Sequence, residues 1–331
     1  MSVSLTRRTF GFLLGAALGS LGLDTRAQNS ARKCVGLLLG TRRNPTSEAY
    51  VEVFRRTLAS IGWEEGRNLM FDVRRGEGSL EKVRAAATEL LALRPDVIFA
   101  NGIRALNEGR AADLTIPIVF IATTDPVAHG FAQSLARPGG QTTGFLLFEF
   151  SVLGKLLDGL HELAPNEKRV ALLINPDNRS TGLHAEAFAA AARTMGFEPS
   201  VLRVREYDQL VQAMVNFGAG GSGGIILPPD VFMLDHRDGI AATALRIGVP
   251  LVAAQREFVE VGALASYGVN ERTLNRQAAS YVDRILRGTR AGDLPIQAPT
   301  DFQFVINPAT AKALNLAIPP TLLARADEVI E

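Results

Sequence analysis

The sequence predicts an α/β protein of two similar lobes, each a parallel β-sheet covered by helices. Short apolar runs alternate with amphipathic stretches of about 10–15 residues, which is the pattern of consecutive βαβ units. A second observation is that the same order of landmarks occurs twice along the chain. The third is the length of 331 residues, which suits two domains better than one.

The first half of the chain carries four predicted strands and three predicted helices. The strands are the apolar runs Val35–Leu39, Leu69–Val73, Val97–Ala100 and Ile118–Ile121. The helices are Ser47–Ile61, Leu80–Leu93 and Ile103–Ala112. Apolar residues at helical spacing, such as Tyr50 and Phe54, mark the first helix. Ser79 is a candidate N-cap of the second helix, and Pro95 ends it.

The second half repeats this plan in the same order. Val35–Leu38 returns as Val170–Leu173, Asp96–Phe99 as Gly224–Leu227, and Ile116–Val119 as Val249–Val252. The elements beyond a second copy are a helix Glu271–Arg287, a loop Gly288–Pro299, a strand Phe302–Ile306 and a helix from Pro308. We expect these elements to cross back between the lobes. The first lobe is then residues 33–148 with 270–300, and the second is 149–269 with 301–331.

The N-terminus has the pattern of an export signal. Arg7-Arg8-Thr9-Phe10 precedes an apolar run to Leu23, and Thr25-Arg26-Ala27 offers small residues for cleavage. The apolar run is shorter than the roughly 20 residues that span a bilayer. The arginine pair favours the twin-arginine route over the general secretory route. We therefore expect residues 1–27 to be a signal peptide, cleaved near Ala27, and the mature chain to be a soluble periplasmic protein.

The composition excludes several classes of partner. The chain has 35 Lys and Arg against 34 Asp and Glu, so it has no net field that would attract nucleic acid. The single cysteine, Cys34, excludes an internal disulfide and multi-cysteine zinc sites, and we expect it to be buried at the start of the first strand. The histidines show no metal-ligand spacing. We expect neither a metal nor a nucleic-acid partner.

No catalytic or cofactor motif fits its required context. Gly220–Gly224 matches the GxSxG pattern, but a nucleophile elbow needs a strand before the serine and a helix after it. Here the predicted helix Tyr207–Phe217 comes before the loop, and the predicted strand Ile225–Leu227 comes after it. No GxGxxG follows the first strand, and no Walker motif occurs. We therefore expect no enzyme activity and no cofactor.

The candidate site lies where the strands end. In open parallel sheets, ligands bind outside the carboxyl ends of the strands. The candidate ligand-binding residues follow predicted strands in both lobes, and they are Thr41, Arg42, Asn101, Gly102, Thr123, Thr124, Asp125, Asn175, Asp230, Gln255 and Tyr267. Hydroxyl, amide and backbone groups beside helix starts favour a carboxylate. The sequence therefore predicts a cleft between the lobes that binds a small organic acid or amino acid.

Several of these residues have a structural alternative. Asp125 and Asn175 also suit turn and helix-cap positions. Arg42 also suits a solvated loop charge. Gln255-Arg256-Glu257 also suits an internal ion pair of the second lobe, and Tyr267 also suits packing at a hinge. The cleft as a whole is a firmer prediction than any single residue in it.

Phrases spread over nearly the whole chain resemble one family. They are Val35-Gly36-Leu37-Leu38, Ile116–Phe120, Thr124–Val127, Arg137–Gly140, Glu257–Glu260, Ser266-Tyr267-Gly268, Thr310–Leu314 and Leu323–Ile330. Together they resemble the ABC transporter substrate-binding protein family, whose better-known members bind tryptophan and related amino acids. The resemblance implies a periplasmic binding-protein fold of type I, with three crossovers, and a solute held between lobes that close for a membrane permease.

The resemblance also singles out Thr123, Thr124, Asp125 and Tyr267 as ligand-contacting positions. The chain departs from the usual pattern at Arg42-Arg43 and at Pro228-Pro229-Asp230. The resemblance therefore does not imply a tryptophan-like ligand, and the arginine pair favours a more acidic one. It also implies a monomer that meets an ABC permease in the inner membrane.

Three functions remain open from the sequence. The leading hypothesis is a periplasmic solute receptor for ABC import. The alternative is an exported sensor that passes its ligand signal to a membrane receptor, and the third is a periplasmic α/β enzyme. A cleft without catalytic motifs favours the first hypothesis over the third.

Overall fold

Two β-sheets, each with helices on both faces, organise the part of the chain that the computed structural model describes, which is residues 32–113, 115–123, 125–149, 151–178 and 181–330. The predicted signal segment and Thr124 lie outside these residues. The prediction of two α/β lobes with parallel sheets is confirmed.

The first sheet has five parallel strands in the order β2-β1-β3-β4-β5. The strands are β1 (Lys33–Leu39), β2 (Leu69–Arg75), β3 (Val97–Asn101), β4 (Ile118–Thr123) and β5 (Thr142–Leu146). The sequence predicts the first four of these strands but not β5. Although β5 is fully buried, two threonines and Gly144 interrupt its apolar run. Apolar periodicity therefore does not mark it.

The second sheet repeats this order and then extends it. Its strands are β6 (Arg169–Ile174), β7 (Glu198–Arg203), β8 (Gly223–Leu227), β9 (Leu251–Ala253), β10 (Ala265–Val269), β11 (Phe302–Ile306) and β12 (Glu328–Val329). Their order is β7-β6-β8-β9-β10-β11-β12, so the first five positions reproduce the first sheet. Strand β11 runs antiparallel to β10. The predicted tandem repeat is therefore present in the strand order itself.

The helices fall into three groups along the chain, one with each of the two strand repeats and one near the C-terminus. The first group is α1 (Pro45–Ser60), α2 (Leu80–Ala92) and α3 (Ile103–Ala112). The second is α4 (Ser151–Leu163), α5 (Thr181–Thr194), α6 (Tyr207–Ala219), α7 (Val231–Asp235), α8 (Arg237–Arg246) and α9 (Glu257–Glu260). The last are α10 (Glu271–Leu286), α11 (Pro308–Ala313) and α12 (Pro320–Leu323). Ser79 precedes α2 as predicted, but its side chain makes no capping hydrogen bond.

Each sheet separates two apolar cores, because alternate residues of a strand point to opposite faces. In β1, Leu37 packs with α1 and α10, and Leu38 packs with α2 and α3. In β6, Leu172 packs with α4 and α5, and Leu173 packs with α6 and α8. Strands buried on both faces read as continuous apolar runs, which is why the sequence reveals them.

The chain passes between the two lobes three times. After β5 it enters α4, whose apolar face belongs to a core of the second lobe. After β10 it enters α10, which packs on the first sheet, where Trp63 Nε1 donates to Asp283 Oδ1 at 2.7 Å. A 3-10 turn at Ala291–Asp293 stays beside β5, and the chain then enters β11 of the second sheet. Helix α10 therefore starts at the junction of the lobes, which places its first residues beside the cleft.

Of two smaller expectations, the one for Cys34 is wrong and the one for Ser222 is confirmed. Cys34, the second residue of β1, is only partly buried and not buried as expected; its backbone N–H donates to Asp96 Oδ2 at 2.8 Å. Ser222 does lie between a helix and a following strand, as predicted. Nowhere in the described part of the chain does a helix reach the length and apolarity that crossing a membrane needs.

Candidate functional site

A cavity lies between the two sheets, at the carboxyl ends of their strands. It encloses about 950 Å³, counting the space open to solvent, and residues of both lobes line it. Leu39 and Asn101 end β1 and β3 in the first lobe, and Asp230 and Gln255 follow β8 and β9 in the second. The position is the one that the sequence predicts from the general rule for parallel sheets.

Two helix starts of the first lobe face this cavity. Asn44 caps α1, where Ser47 N donates to Asn44 Oδ1 at 2.8 Å and Asn44 N donates to Ser47 Oγ at 3.1 Å. Gly102 precedes α3 with φ of 99°, a left-handed conformation that favours glycine. Gly102 carries no side chain to cap α3, so the helix start remains open to a ligand. Arg104, in the first turn of α3, adds a positive charge, which makes this end of the cavity suitable for an anion.

Asp230 occupies the opposite rim as a helix cap. Its carboxylate accepts from Met233 N at 3.1 Å and from Asn178 Nδ2 at 2.9 Å, which holds α7 and the loop after β6 together. Burial raises the pKa of Asp230, while Arg104 across the cavity lowers it. Each carboxylate oxygen of Asp230 thus already accepts one hydrogen bond from within the protein.

One wall of the cavity collects side-chain oxygens, and we call Gln255, Glu257, Glu271 and Asn275 the acid floor. Tyr50 of α1 donates its hydroxyl to Glu257, which is 1% exposed. Gln255 Nε2 donates to Glu271 Oε1 at 3.1 Å, and Asn275 Nδ2 donates to the backbone oxygen of Glu271 at 2.8 Å. The first two bonds join elements of different lobes, so the acid floor lies on the seam between them.

The two carboxyl groups of the acid floor are held in an unusual state. Burial, followed by the charge of Glu257, raises the pKa of Glu271 to about 8. Burial also raises the pKa of Glu257, against the hydrogen bond from Tyr50. Burial, followed by the charges of Glu271 and Glu257, raises the pKa of Tyr50, which therefore remains a donor. The pair consequently retains a proton near neutral pH.

Two oxygens of the acid floor have no hydrogen-bond partner among the described residues. They are Oε1 of Gln255, which is 8% exposed, and Oδ1 of Asn275, which is 1% exposed. A buried acceptor without a donor costs about 1–3 kcal/mol of stability. Both side chains line the cavity, so a bound molecule that donates hydrogen bonds would satisfy them.

The alternative that Gln255-Arg256-Glu257 contributes an internal ion pair of the second lobe agrees with the contacts of its arginine. Arg256 pairs with Glu260 at 2.6 Å and with Glu328 at 2.8 Å, and both partners belong to the second lobe. Its neighbours Gln255 and Glu257 point to the cavity. Successive residues leave a chain bend in different directions, and the sequence does not indicate which of the three faces inward.

Of the eleven predicted ligand-binding residues, five line the cavity. They are Thr41, Asn101, Gly102, Asp230 and Gln255. Thr123 is the last residue of β4, and Thr124 lies outside the described residues.

Four predicted residues are not among those that line the cavity. Arg42 is exposed and pairs with Asp235 of α7, with Nε 3.7 Å from Oδ2. Asp125 Oδ1 accepts from Ala128 N at 2.9 Å, and Asn175 Oδ1 accepts from Asp177 N at 3.0 Å. Tyr267 stacks on Phe302 with ring centroids 5.7 Å apart. These contacts correspond to the structural alternatives that the sequence leaves open.

Most of the polar side chains that line the cavity were not predicted from the sequence. Tyr50 reads as part of the apolar face of α1, and Glu271 and Asn275 read as ordinary helix positions. One signal was available, since Glu271 and Asn275 are four residues apart on the face of α10 that carries Leu274 and Ala278. A polar side chain on the apolar face of a helix indicates either a buried partner or a ligand.

The described residues contain no group of three or more His, Cys, Asp or Glu side chains that could hold a metal ion.

Comparison with known proteins matches almost the whole chain to one family. A family model described as ABC transporter substrate binding protein matches residues 43–330. A tyrosine-binding protein of Clostridioides difficile (strain R20291) is 23% identical over 276 residues, which is 82% of this chain and 78% of that protein.

Two solved structures share the fold, which is that of type I periplasmic binding proteins. An ABC domain from Streptococcus pneumonia in complex with L-Trp has a TM-score of 0.85 at 22% identity, over 91% of this chain and 100% of that one. The ligand-free, open structure of a substrate-binding protein with adhesive properties from Clostridium difficile has a TM-score of 0.68 at 23% identity, over 90% of this chain and 99% of that one.

Proposed function

The chain belongs to the ABC transporter substrate-binding protein family, and we propose that it captures a small carboxylate-bearing solute, an amino acid above all, by closing its lobes. The solute is then delivered to an ABC permease of the inner membrane for import. The family is one of solute-binding proteins rather than enzymes.

The observation that carries this proposal is the cavity between the carboxyl ends of the two sheets, lined from both lobes. Its carboxylate end is the open start of α3, where Gly102 exposes backbone N–H groups and Arg104 supplies a positive charge. Apolar residues such as Phe99 and Leu39 offer a surface for the rest of the solute. A tyrosine-binding relative and a relative in complex with L-Trp support an amino acid as the solute.

Closure is supported by the bonds that cross the seam. Tyr50 to Glu257, Gln255 to Glu271, and Arg42 to Asp235 each join the two lobes. A solute that contacts both lobes would stabilise this closed arrangement.

Export is part of the proposal, because a receptor of this family meets its permease outside the cytoplasm. We propose that residues 1–27 direct it there by the twin-arginine route. In a cell-fractionation assay, replacing both Arg7 and Arg8 by Lys should leave the chain in the cytoplasm. Continued export of that variant would favour the general secretory route.

A thermal-shift screen of the chain from Gln28 tests the binding function. The panel contains the common L-amino acids, aromatic acids, dicarboxylates and sugars. A solute at 100 times its dissociation constant adds about 2.7 kcal/mol of stability, which raises the melting midpoint by several degrees. We expect the amino acids to give the largest shifts.

Arg104→Ala should weaken binding of any such solute about tenfold, because it removes a charged partner of the carboxylate. Arg56→Ala is the matched control, since Arg56 is 80% exposed on α1 and lies outside the cavity lining. If only sugars bind, the proposed carboxylate site at the start of α3 is contradicted. If no compound of the panel binds, the proposed solute class is contradicted.

A further inference from the structure

The acid floor has a composition that a carboxylate solute alone does not explain. We propose that it is a subsite for a cationic nitrogen of the solute, and that this nitrogen takes the place of a proton that Glu257 and Glu271 share in the empty protein. This inference rests on the proposed function and assigns the residues that recognise the amino group of the proposed solute, together with the proton that this group displaces.

Hydrogen-bonding capacity is the first argument. The unpartnered oxygens of Gln255 and Asn275 accept hydrogen bonds but cannot donate them, and both lie in the cavity wall. The amide nitrogens of both side chains are already used, on Glu271. An ammonium group has three donors and no acceptor, so it matches a wall of acceptors. A second carboxylate or an ether oxygen would leave both acceptors unsatisfied.

Charge is the second argument. The charged and titratable groups around the acid floor are Tyr50 of α1, Arg256 and Glu260 of the α9 segment, Glu328 of β12, Arg272 of α10, and, across the cavity, Arg104, Arg237 and Asp230. Arg256 is engaged by Glu260 and Glu328, and its charge only partly offsets that of Glu257. Glu271 has a neutral amide, Gln255, as its side-chain partner. The position beside the two carboxyl groups is therefore available to a cation from outside.

The titration of the pair supports the exchange. The pKa of Glu271 is about 8 in the empty protein, so at pH 7 its carboxyl group is mostly protonated. A bound cation favours the charged carboxylate and lowers this pKa. The proton then leaves to the solvent, and binding becomes tighter as the pH rises towards 8. Above that pH the pair is already ionised, and the dependence ends.

The location on the seam connects this subsite to closure. Glu257 belongs to the second lobe, and Glu271 opens α10, which packs on the first sheet. Closure brings two carboxylates into one cavity, where like charges repel in a poorly solvated setting. A cation between them attracts both lobes, so the solute's nitrogen stabilises the closed form. A solute without that nitrogen binds a closed form that must keep its proton.

Calorimetric titration with matched probes tests the proposal. The probes are L-tyrosine and L-tryptophan, together with 3-(4-hydroxyphenyl)propionate and indole-3-propionate, which lack only the amino group. Titrations at pH 7 in two buffers of different ionisation enthalpy count the protons released. We expect about one proton per bound amino acid and almost none for the propionates. We also expect amino-acid affinity to rise up to tenfold between pH 6 and 7, to level off above pH 8, and to exceed that of the propionates at least tenfold.

Glu271→Gln should abolish proton release and flatten the pH dependence, and it should weaken amino-acid binding at pH 8 at least tenfold. Glu52→Gln is the matched control, because Glu52 is a half-exposed carboxylate of α1 that pairs with Arg56 and lies outside the cavity lining. The control should behave as the original protein does. If Glu271→Gln does not fold, the comparison of amino acids with propionates in the unaltered chain still tests whether the acid floor binds the amino group.

Two outcomes would overturn the inference and leave the receptor intact. One is binding of the propionates as tightly as the amino acids, and the other is amino-acid binding without proton release at pH 7. Absence of binding for all four probes would instead count against the proposed amino-acid receptor, and the inference would fall with it.

Discussion

Equivalent loops of the two lobes differ in what their polar groups do. The loop after β1 faces the cavity with Thr41, while in the equivalent loop after β6 the Oδ1 of Asn175 accepts from Asp177 N, and the later Asn178 lines the cavity. After β4 the situation reverses, because Asp125 closes its own turn, whereas the equivalent loop after β9 turns Gln255 to the cavity. Repetition of the strand plan therefore places the loops but does not give them the same role.

The difference separates structural from ligand-binding polar groups. Where a side chain is satisfied within its own loop, it stabilises the fold and needs no solute. Where a buried oxygen remains without a donor, as in Gln255 and Asn275, the fold carries a cost that a solute removes. Stability and binding should therefore respond in opposite ways at the two kinds of loop, and five substitutions examine this.

The largest expected effect is at Gly268, which allows the loop after β9 to approach β10. A Cβ at this position would lie 1.6 Å from the backbone oxygen of Ala254, the residue before Gln255. Gly268→Ala should therefore lower the free energy of unfolding by about 3 kcal/mol, measured by denaturant titration. Gly154→Ala in α4 has open space and should be neutral or slightly stabilising. Equal effects of the two substitutions would show that the close approach is not needed.

The next effect is the pH dependence of stability at the acid floor. The pKa of Glu271 is about 8 in the folded protein and 4.5 ordinarily, so between these values the folded state holds a proton that the unfolded chain has lost. Stability of the empty protein therefore falls as the pH rises through this window, and the effect is absent below it. Glu271→Gln should remove this loss, so that its free energy of unfolding relative to the original protein is about 2 kcal/mol more favourable at pH 8 than at pH 5. Thermal melts of both proteins across this pH range measure the difference. A parallel pH profile of the two proteins would contradict the assignment.

A third substitution separates binding from stability at a cavity-facing oxygen. Asn275→Leu removes the unpartnered acceptor and keeps a similar side-chain volume. We expect the melting midpoint to be maintained within a few degrees while amino-acid affinity falls about tenfold, because a hydrogen bond to a charged group is lost. Loss of stability with unchanged affinity would mean that Asn275 serves the fold alone.

The smallest effects are expected at the loops that are closed on themselves. Asn175→Ala and Asp125→Ala each remove a side-chain acceptor of backbone N–H groups, so each should cost about 1 kcal/mol of stability. Binding constants should remain unchanged within twofold, measured by calorimetry. A clear loss of affinity in either variant would place that loop in the solute site after all.

The architecture was accessible from the sequence because its signals are local. Ile103–Ala112 and Phe302–Ile306 are helix and strand with the predicted bounds, since apolar spacing within a few residues decides them. Strand β5 was not accessible, because Gly144 is a poor strand former and the two threonines before it leave no continuous apolar run; pairing with β4 makes the segment a strand.

The site was accessible only in part, because its chemistry depends on distant pairs. Tyr50 and Glu257 are 207 residues apart, and no local pattern connects them. The rule for strand ends found Asn101 and Gln255, since it concerns position in the sheet. It also selected Tyr267, whose ring packs on Phe302 instead. Which way a loop side chain turns is decided by tertiary contacts that the sequence does not display.

The most direct measurement is a crystal structure of the chain from Gln28 grown with the amino acid that gives the largest thermal shift. We expect the carboxylate of this amino acid to lie at the start of α3 beside Arg104. Its nitrogen should lie within about 3.2 Å of Asn275 Oδ1 and close to Glu271. A solute bound outside the cavity, or one whose nitrogen leaves the oxygens of Gln255 and Asn275 without a donor, would contradict the account.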